Sequence, residues 1–182
     1  MEDFRKIVQR TLNEVTESLS RTDPRQFMEF VEALSKRRSV LVAGEGACGG
    51  VVRVFAHGLS RLGVDARVVG ESTTLGARLG DLLVVVTESG SGLMAQRAAA
   101  ARNQGATVAV VTSEARSKLL GEAQIGIILP RPTRTPFTAQ PETGSSTLIF
   151  AEAAMLYLSA AVKALAGQIS QRDLRDPGVG LD

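Results

Sequence analysis

The hydrophobic pattern along the chain changes period at residue 39. Before it, Phe4, Ile7, Val8, Leu12, Val15 and Leu19 recur at three- and four-residue steps. That spacing is one face of a helix and predicts an amphipathic helix over 2–20. Thr22-Asp23-Pro24 ends it and opens another, with Pro24 at the first helical position. Phe27, Met28, Phe30, Val31 and Leu34 mark the apolar face of this second helix. From residue 39 the apolar positions come in short unbroken runs, as in strands buried on both faces. The runs are 39–43, 66–69, 81–86, 107–111 and 125–129. Helical stretches are predicted between most of them, at 48–62, 92–104 and 113–121. A polar loop follows at 131–146, then a long Ala- and Leu-rich helix at 147–166, then a polar tail.

Strands alternating with helices predict an α/β fold, with a parallel sheet covered on both faces. The expected organisation is one domain over 1–182: a helical arm at 1–37, a sheet core at 38–130, a C-terminal helix at 147–167 and a tail at 168–182. A length of 182 residues suits one such domain. A pair of N-terminal helices also raises the question of a helix-turn-helix. Glu2, Asp3, Glu14, Glu17, Asp23, Glu29 and Glu32 make this pair too acidic to face DNA. It reads instead as a packing or dimerising arm.

Composition narrows the chemistry. The chain has one His, one Cys and no Trp. Cys48 has no partner for an internal disulfide, and a Cys/His zinc site lacks ligands, so no metal is expected. The isoelectric point of about 9.0 suggests nucleic acid, but the net charge is only +2, from 21 basic and 19 acidic side chains. With so little titrating between carboxylates and amines, the charge curve is flat and the isoelectric point is a poor guide. The basic residues are scattered, so no nucleic-acid partner is expected. No apolar run approaches the ~20 residues that span a bilayer, and the charged start is not a signal peptide. The expectation is a cytoplasmic protein with no membrane partner.

In an open parallel sheet, ligands bind beyond the carboxyl ends of the strands. The loops on that edge are Gly44-Glu45-Gly46-Ala47-Cys48-Gly49, Gly70-Glu71-Ser72-Thr73-Thr74, Thr87-Glu88-Ser89-Gly90-Ser91-Gly92 and Thr112-Ser113. Glycines admit an anion to backbone N–H groups, and hydroxyls and helix N-termini add donors and dipole. One such loop reads as ordinary helix capping. Several on one edge suit a phosphate. Gly44-x-Gly46-x-x-Gly49 also has the dinucleotide spacing, with Glu71 near where a ribose-binding acid sits. A dinucleotide leaves the Ser/Thr-rich third loop unexplained.

Taken together, these motifs resemble the sugar isomerase (SIS) domain family, most closely its 6-phospho-3-hexuloisomerase branch, over roughly residues 1–166 in element order. Gly44-Glu45-Gly46-Ala47-Cys48-Gly49 stands where the branch has G-x-G-R-S-G. Phe55-Ala56, Leu62-Gly63 and Gly70-Glu71-Ser72-Thr73-Thr74 match its helix and its G-E-T-T-T. Asp81-Leu82-Leu83 and Thr87-Glu88-Ser89-Gly90 resemble D-L-L and S-G-S-G. Val110-Val111-Thr112, Leu129-Pro130, Gln140-Pro141 and Leu148-Ile149-Phe150 continue the correspondence.

The resemblance implies a three-layer α/β/α sandwich around a five-stranded parallel sheet, in homodimers or homotetramers. It implies a sugar-phosphate ligand and no cofactor. Thr87, Ser89 and Ser91 would hold the phosphate, with Glu88 and Gly90 helping through their backbone. Gly46, Cys48, Ser72 and Thr73 would line the same site. The implied reaction moves a carbonyl along the sugar through an enediol, from a 3-ketohexose phosphate to fructose 6-phosphate. Subunits of this kind are expected to meet through 2–20 and 147–166, since a lone chain would leave Phe4, Ile7, Leu156 and Leu158 poorly covered.

The departures fall on catalytic positions. Ala47 and Cys48 replace the Arg and Ser of the first loop. Ser91 and Gly92 replace a charged residue and Thr. The branch's glutamate has no clear counterpart, and Glu142 substitutes for it only if its shorter loop reaches inward. The His-containing tail of the branch is here Arg175-Asp176-Pro177-Gly178. Glu142 and His57 are therefore the catalytic candidates, against readings as a capping carboxylate and a partly buried helix histidine. Cys48 reads as a Ser-sized lining residue rather than a reactive thiol. Glu88 is expected to turn from a phosphate or pair with an Arg. Arg131 and Arg134 either close over the phosphate or form a solvated turn. A non-catalytic sugar-phosphate-binding module and a dinucleotide-binding domain remain the alternative readings.

Overall fold

The computed structural model describes residues 3–72, 74–90, 92–132 and 145–169. Two helices, α1 (Phe4–Ser20) and α2 (Pro24–Ser35), precede β1 (Val40–Gly44). Then come α3 (Ala47–Arg61), β2 (Ala66–Val68), β3 (Leu82–Val86), α4 (Gly92–Asn103), β4 (Thr107–Thr112), α5 (Lys118–Glu122), β5 (Ile125–Ile128) and α6 (Ser145–Gln168). Asp3 and Asp23 cap α1 and α2 by accepting from the N–H two residues on.

All five strands run parallel in the order β2-β1-β3-β4-β5. The strands are short apolar runs because both faces are covered. Val40, Val42, Leu82, Val84, Val86, Ala109 and Val111 pack toward α1, α2, α3 and α6. Leu41, Ala43, Leu83, Val85, Val108 and Val110 pack against α4 and α5 on the other face. The two-residue alternation of a strand thus divides one continuous apolar run between two cores. This is the expected three-layer sandwich with its five-stranded parallel sheet.

Phe30 of α2 ties the first core together. It is fully buried, with ring centroids 6.2 Å from Phe55 of α3 and 6.1 Å from Tyr157 of α6. Contrary to the expectation that no apolar run approaches a bilayer-spanning length, the long helix α6 is apolar and long enough, by length and composition, to cross a membrane. Half of that stretch is buried in the sandwich, against α1, α2 and α3.

Three further expectations change. The helix expected at 113–121 is only Lys118–Glu122. Thr112 Oγ1 accepts from the N–H of Glu114, and Ser117 Oγ from that of Leu120, so 113–116 is a turn and the helix starts at its Ser117 cap. The last helix is longer at both ends than 147–166. Phe4, Ile7 and Leu156 are exposed as expected, but Leu158 lies in the core at 1% exposure. It falls on the face of α6 that packs inward.

Among the described residues, the loop after β2 crosses back to β3 without a helix. Asp81 closes this crossing: Ser39 Oγ donates to one carboxylate oxygen at 2.8 Å and the Arg78 N–H to the other at 2.9 Å. A cavity of about 750 Å³ lies beneath the loop, against Leu41, Leu83 and α4.

Candidate functional site

The strand order reverses between β1 and β3, since the chain moves outward to β2 on one side and to β4 on the other. Such a switch point opens a crevice at the carboxyl ends of the two strands. The loop after β1 and the loop after β3 meet there.

Gly46 caps α3 with φ +55°, a conformation that L side chains rarely adopt. It lets the chain turn from strand to helix within two residues. Cys48 follows in the first turn of α3 and is buried. Burial pushes its thiol up to about 11; a backbone hydrogen bond from Glu88 opposes this and the nearby Glu88 charge adds to it. At neutral pH Cys48 is a neutral thiol in contact with the β3 loop, not a thiolate nucleophile. Alkylation by iodoacetamide at pH 8 should be slow in the folded protein and rapid after urea unfolding, followed by mass spectrometry. Equal rates would place the sulfur at the surface.

Thr87 follows β3 directly and is buried, its Oγ1 accepting from the N–H of Gly90 at 3.3 Å. Gly90 has φ +69°. Ser89 between them is exposed at the mouth of the crevice. The Glu88 carbonyl accepts from Thr112 Oγ1 at 3.1 Å and Ser113 Oγ at 3.0 Å, so the loop after β4 braces the loop after β3.

The Glu88 side chain turns toward α6. Thr147 Oγ1 donates to its Oε2 at 2.7 Å, and Arg131 Nη2 lies 3.4 Å from its Oε1. Only 14% of the Glu88 side chain is exposed. Arg131 also donates from Nε to Ser113 Oγ at 3.3 Å, and its carbonyl accepts from Arg21 Nη1 at 3.2 Å. Of the two expectations for Glu88, pairing with an arginine is the one realised, and Arg131 is more than a solvated turn.

The structure thus brings together Gly46, Cys48, Thr87, Glu88, Ser89 and Gly90. It adds Thr147 and Ser113, which sequence reasoning did not assign. Ser72 is exposed on the loop after β2, beside Glu71, which pairs with Arg53 at 3.5 Å. Thr73, Ser91, Arg134 and Glu142 lie outside the described residues. His57 is exposed on the third turn of α3, about 13 Å further along the helix axis than Cys48. It lines a shallow pocket with Arg53, Ser60, Arg67 and Glu71 rather than the crevice. No cluster of His, Cys, Asp or Glu suited to a metal occurs among the described residues.

No family model matches the chain. An uncharacterized protein of Methanothermobacter thermautotrophicus is 30% identical over 138 residues, 75% of this chain and 70% of that one. The 3-hexulose-6-phosphate isomerase of Mycobacterium gastri is 34% identical over 125 residues, 68% of this chain and 62% of that one. Among solved structures, a hypothetical protein of Methanococcus jannaschii, inferred to be a 3-hexulose-6-phosphate isomerase, superposes with a TM-score of 0.77 at 20% identity. That match covers 94% of this chain and 98% of the other. The Vibrio vulnificus NanR protein complexed with ManNAc-6P superposes with a TM-score of 0.73 at 21% identity, over 93% of this chain and 64% of that one. The chain belongs to the sugar isomerase (SIS) domain family, near its 6-phospho-3-hexuloisomerase branch.

Proposed function

We propose that the protein is a phosphosugar ketose isomerase, converting a 3-hexulose 6-phosphate to fructose 6-phosphate through an enediol. The observation that carries this reading is the convergence at the switch point. The glycine turn at Gly46, the exposed Ser89 beside Gly90 and the first turn of α6 meet where a phosphate and its sugar would lie. The 3-hexulose-6-phosphate isomerase relative supports the choice of reaction. On this reading Thr87, Ser89, Gly90 and Ser91 hold the phosphate, and Gly46, Cys48, Ser72 and Thr73 line the sugar. Proton transfer needs a group at the sugar. Glu142 and His57 are the candidates from sequence, and the described site adds Glu88. No metal or redox cofactor enters such a reaction. The protein would be cytoplasmic and act as a homodimer or homotetramer joined through α1 and α6, whose Phe4, Ile7 and Leu156 are exposed.

A second reading, a sugar-phosphate-binding module without catalysis, is favoured by one observation. A sandwich of the same fold makes up 64% of the NanR chain in its complex with ManNAc-6P.

Thermal melting with fructose 6-phosphate, arabinose 5-phosphate, sedoheptulose 7-phosphate and NAD separates the possibilities. A ligand at about 100 times its Kd stabilises by about 2.7 kcal/mol. For a chain of this size that raises Tm by roughly 5–10 °C. Fructose 6-phosphate is expected to give this shift and NAD none. A coupled assay of fructose 6-phosphate formation then reads turnover. Binding without turnover selects the second reading; a shift with NAD alone removes both.

A further inference from the structure

We infer that Glu88 is the general base of the isomerisation, with Arg131 as the cation that faces the enediolate; this rests on the isomerase reading above. The other carboxylates that follow strands on this edge, Glu45, Glu71 and Glu114, are exposed. Glu88 is the one whose side chain is turned inward among the described residues and held at both ends. Its backbone carbonyl accepts from Thr112 and Ser113, and its two carboxylate oxygens meet Thr147 and Arg131. A base held in one orientation needs no rearrangement when the proton moves. Glu88 directly precedes Ser89 and Gly90, so a sugar whose phosphate rests on those two extends past its carboxylate. Cys48, raised to about 11 by burial, stays protonated beside it and does not compete for the proton.

The step balances without a further reactant. A Glu88 oxygen takes the proton from C2, next to the C3 carbonyl. The C–H electron pair becomes the C2–C3 double bond, and the carbonyl pair moves to the C3 oxygen as an enediolate facing Arg131. The proton of the C2 hydroxyl passes to the C3 oxygen, C2 becomes the carbonyl, and Glu88 returns its proton to C3. Arg131 is itself braced by Ser113 and, through its carbonyl, by Arg21. Its positive charge therefore stands fixed where negative charge develops.

Glu88→Gln keeps the side-chain shape and removes the base. Turnover is expected to fall about 10²–10⁴-fold, the usual contribution of a general base. The thermal shift with fructose 6-phosphate should be retained. Glu88→Asp should recover part of the turnover, and the ligand-free Tm of both variants checks that they fold. In D₂O, fructose 6-phosphate should acquire carbon-bound deuterium with the wild type and far more slowly with Glu88→Gln. The inference is overturned if Glu88→Gln stays within threefold of wild type while Glu142→Gln loses turnover. It is overturned as well if the wild type binds fructose 6-phosphate but exchanges no deuterium, a result that leaves sugar-phosphate binding standing. Absence of binding by any sugar phosphate overturns the underlying reading with it.

Discussion

Replacing Phe30 by alanine is expected to lower the unfolding free energy by about 3–5 kcal/mol, a large part of the stability of a domain this size. Phe30 is fully buried where α2, α3 and α6 meet, and its ring faces Phe55 and Tyr157. Deleting it removes the transfer energy of the ring and two aromatic contacts, and leaves a cavity that three packed helices close only in part. Urea unfolding should show a lower midpoint with an unchanged slope. Met28 on the same helix is 59% exposed, and its replacement by alanine should stay within about 0.5 kcal/mol. Equal losses at the two positions would mean that α2 is not docked as described.

Replacing Gly90 by alanine is expected to cost about 2–5 kcal/mol and to weaken fructose 6-phosphate binding at least tenfold. Two costs add. At φ +69° a side chain is strained by roughly 1–2 kcal/mol. A Cβ built there would also lie 2.8 Å from Ser117 Cβ, and such overpacking costs about 1–3 kcal/mol. Relief requires the loop to move away from the cap of α5, which shifts Ser89 with it. Gly121 gives the contrast. It sits inside α5 with open space around its Cα, so alanine there should be neutral or slightly stabilising. A Gly90→Ala protein with wild-type midpoint and wild-type ligand shift would remove the loop from the binding site.

Much of the fold was legible because it is local. Leu82–Val86 is five apolar residues in a row, and all are buried. No amphipathic helix reads that way, so a strand buried on both faces was the direct reading. The Gly44–Gly49 turn was legible because a strand entering a helix this sharply needs a residue free of Cβ strain. The bounds of α5 were less legible, since they depend on which partners the Thr112, Ser113 and Ser117 hydroxyls choose. That Glu88 would turn aside or pair with an arginine was legible, but which residues would hold it was not. Its partner Thr147 lies 59 positions away and Arg131 lies 131 − 88 = 43 away. Sequence spacing carries no information about such contacts. The resemblance gives position 88 a backbone role, and the particular partners of its carboxylate emerge only once β3, β4 and α6 are assembled.

The reversal of strand order has a kinetic consequence. β1 pairs with β3 through Val40 and Leu82, which are 42 positions apart in sequence, and α3 and β2 come between the two strands. Closing so long a segment is among the slower steps of folding, because its entropy is lost before the contacts form. The loops at Gly46 and Glu88 meet only when that pairing exists. On the proposed function, a sugar phosphate resting on both loops would recognise a late-formed contact. It should act as a clasp that retards unfolding, while leaving the rate of folding nearly untouched.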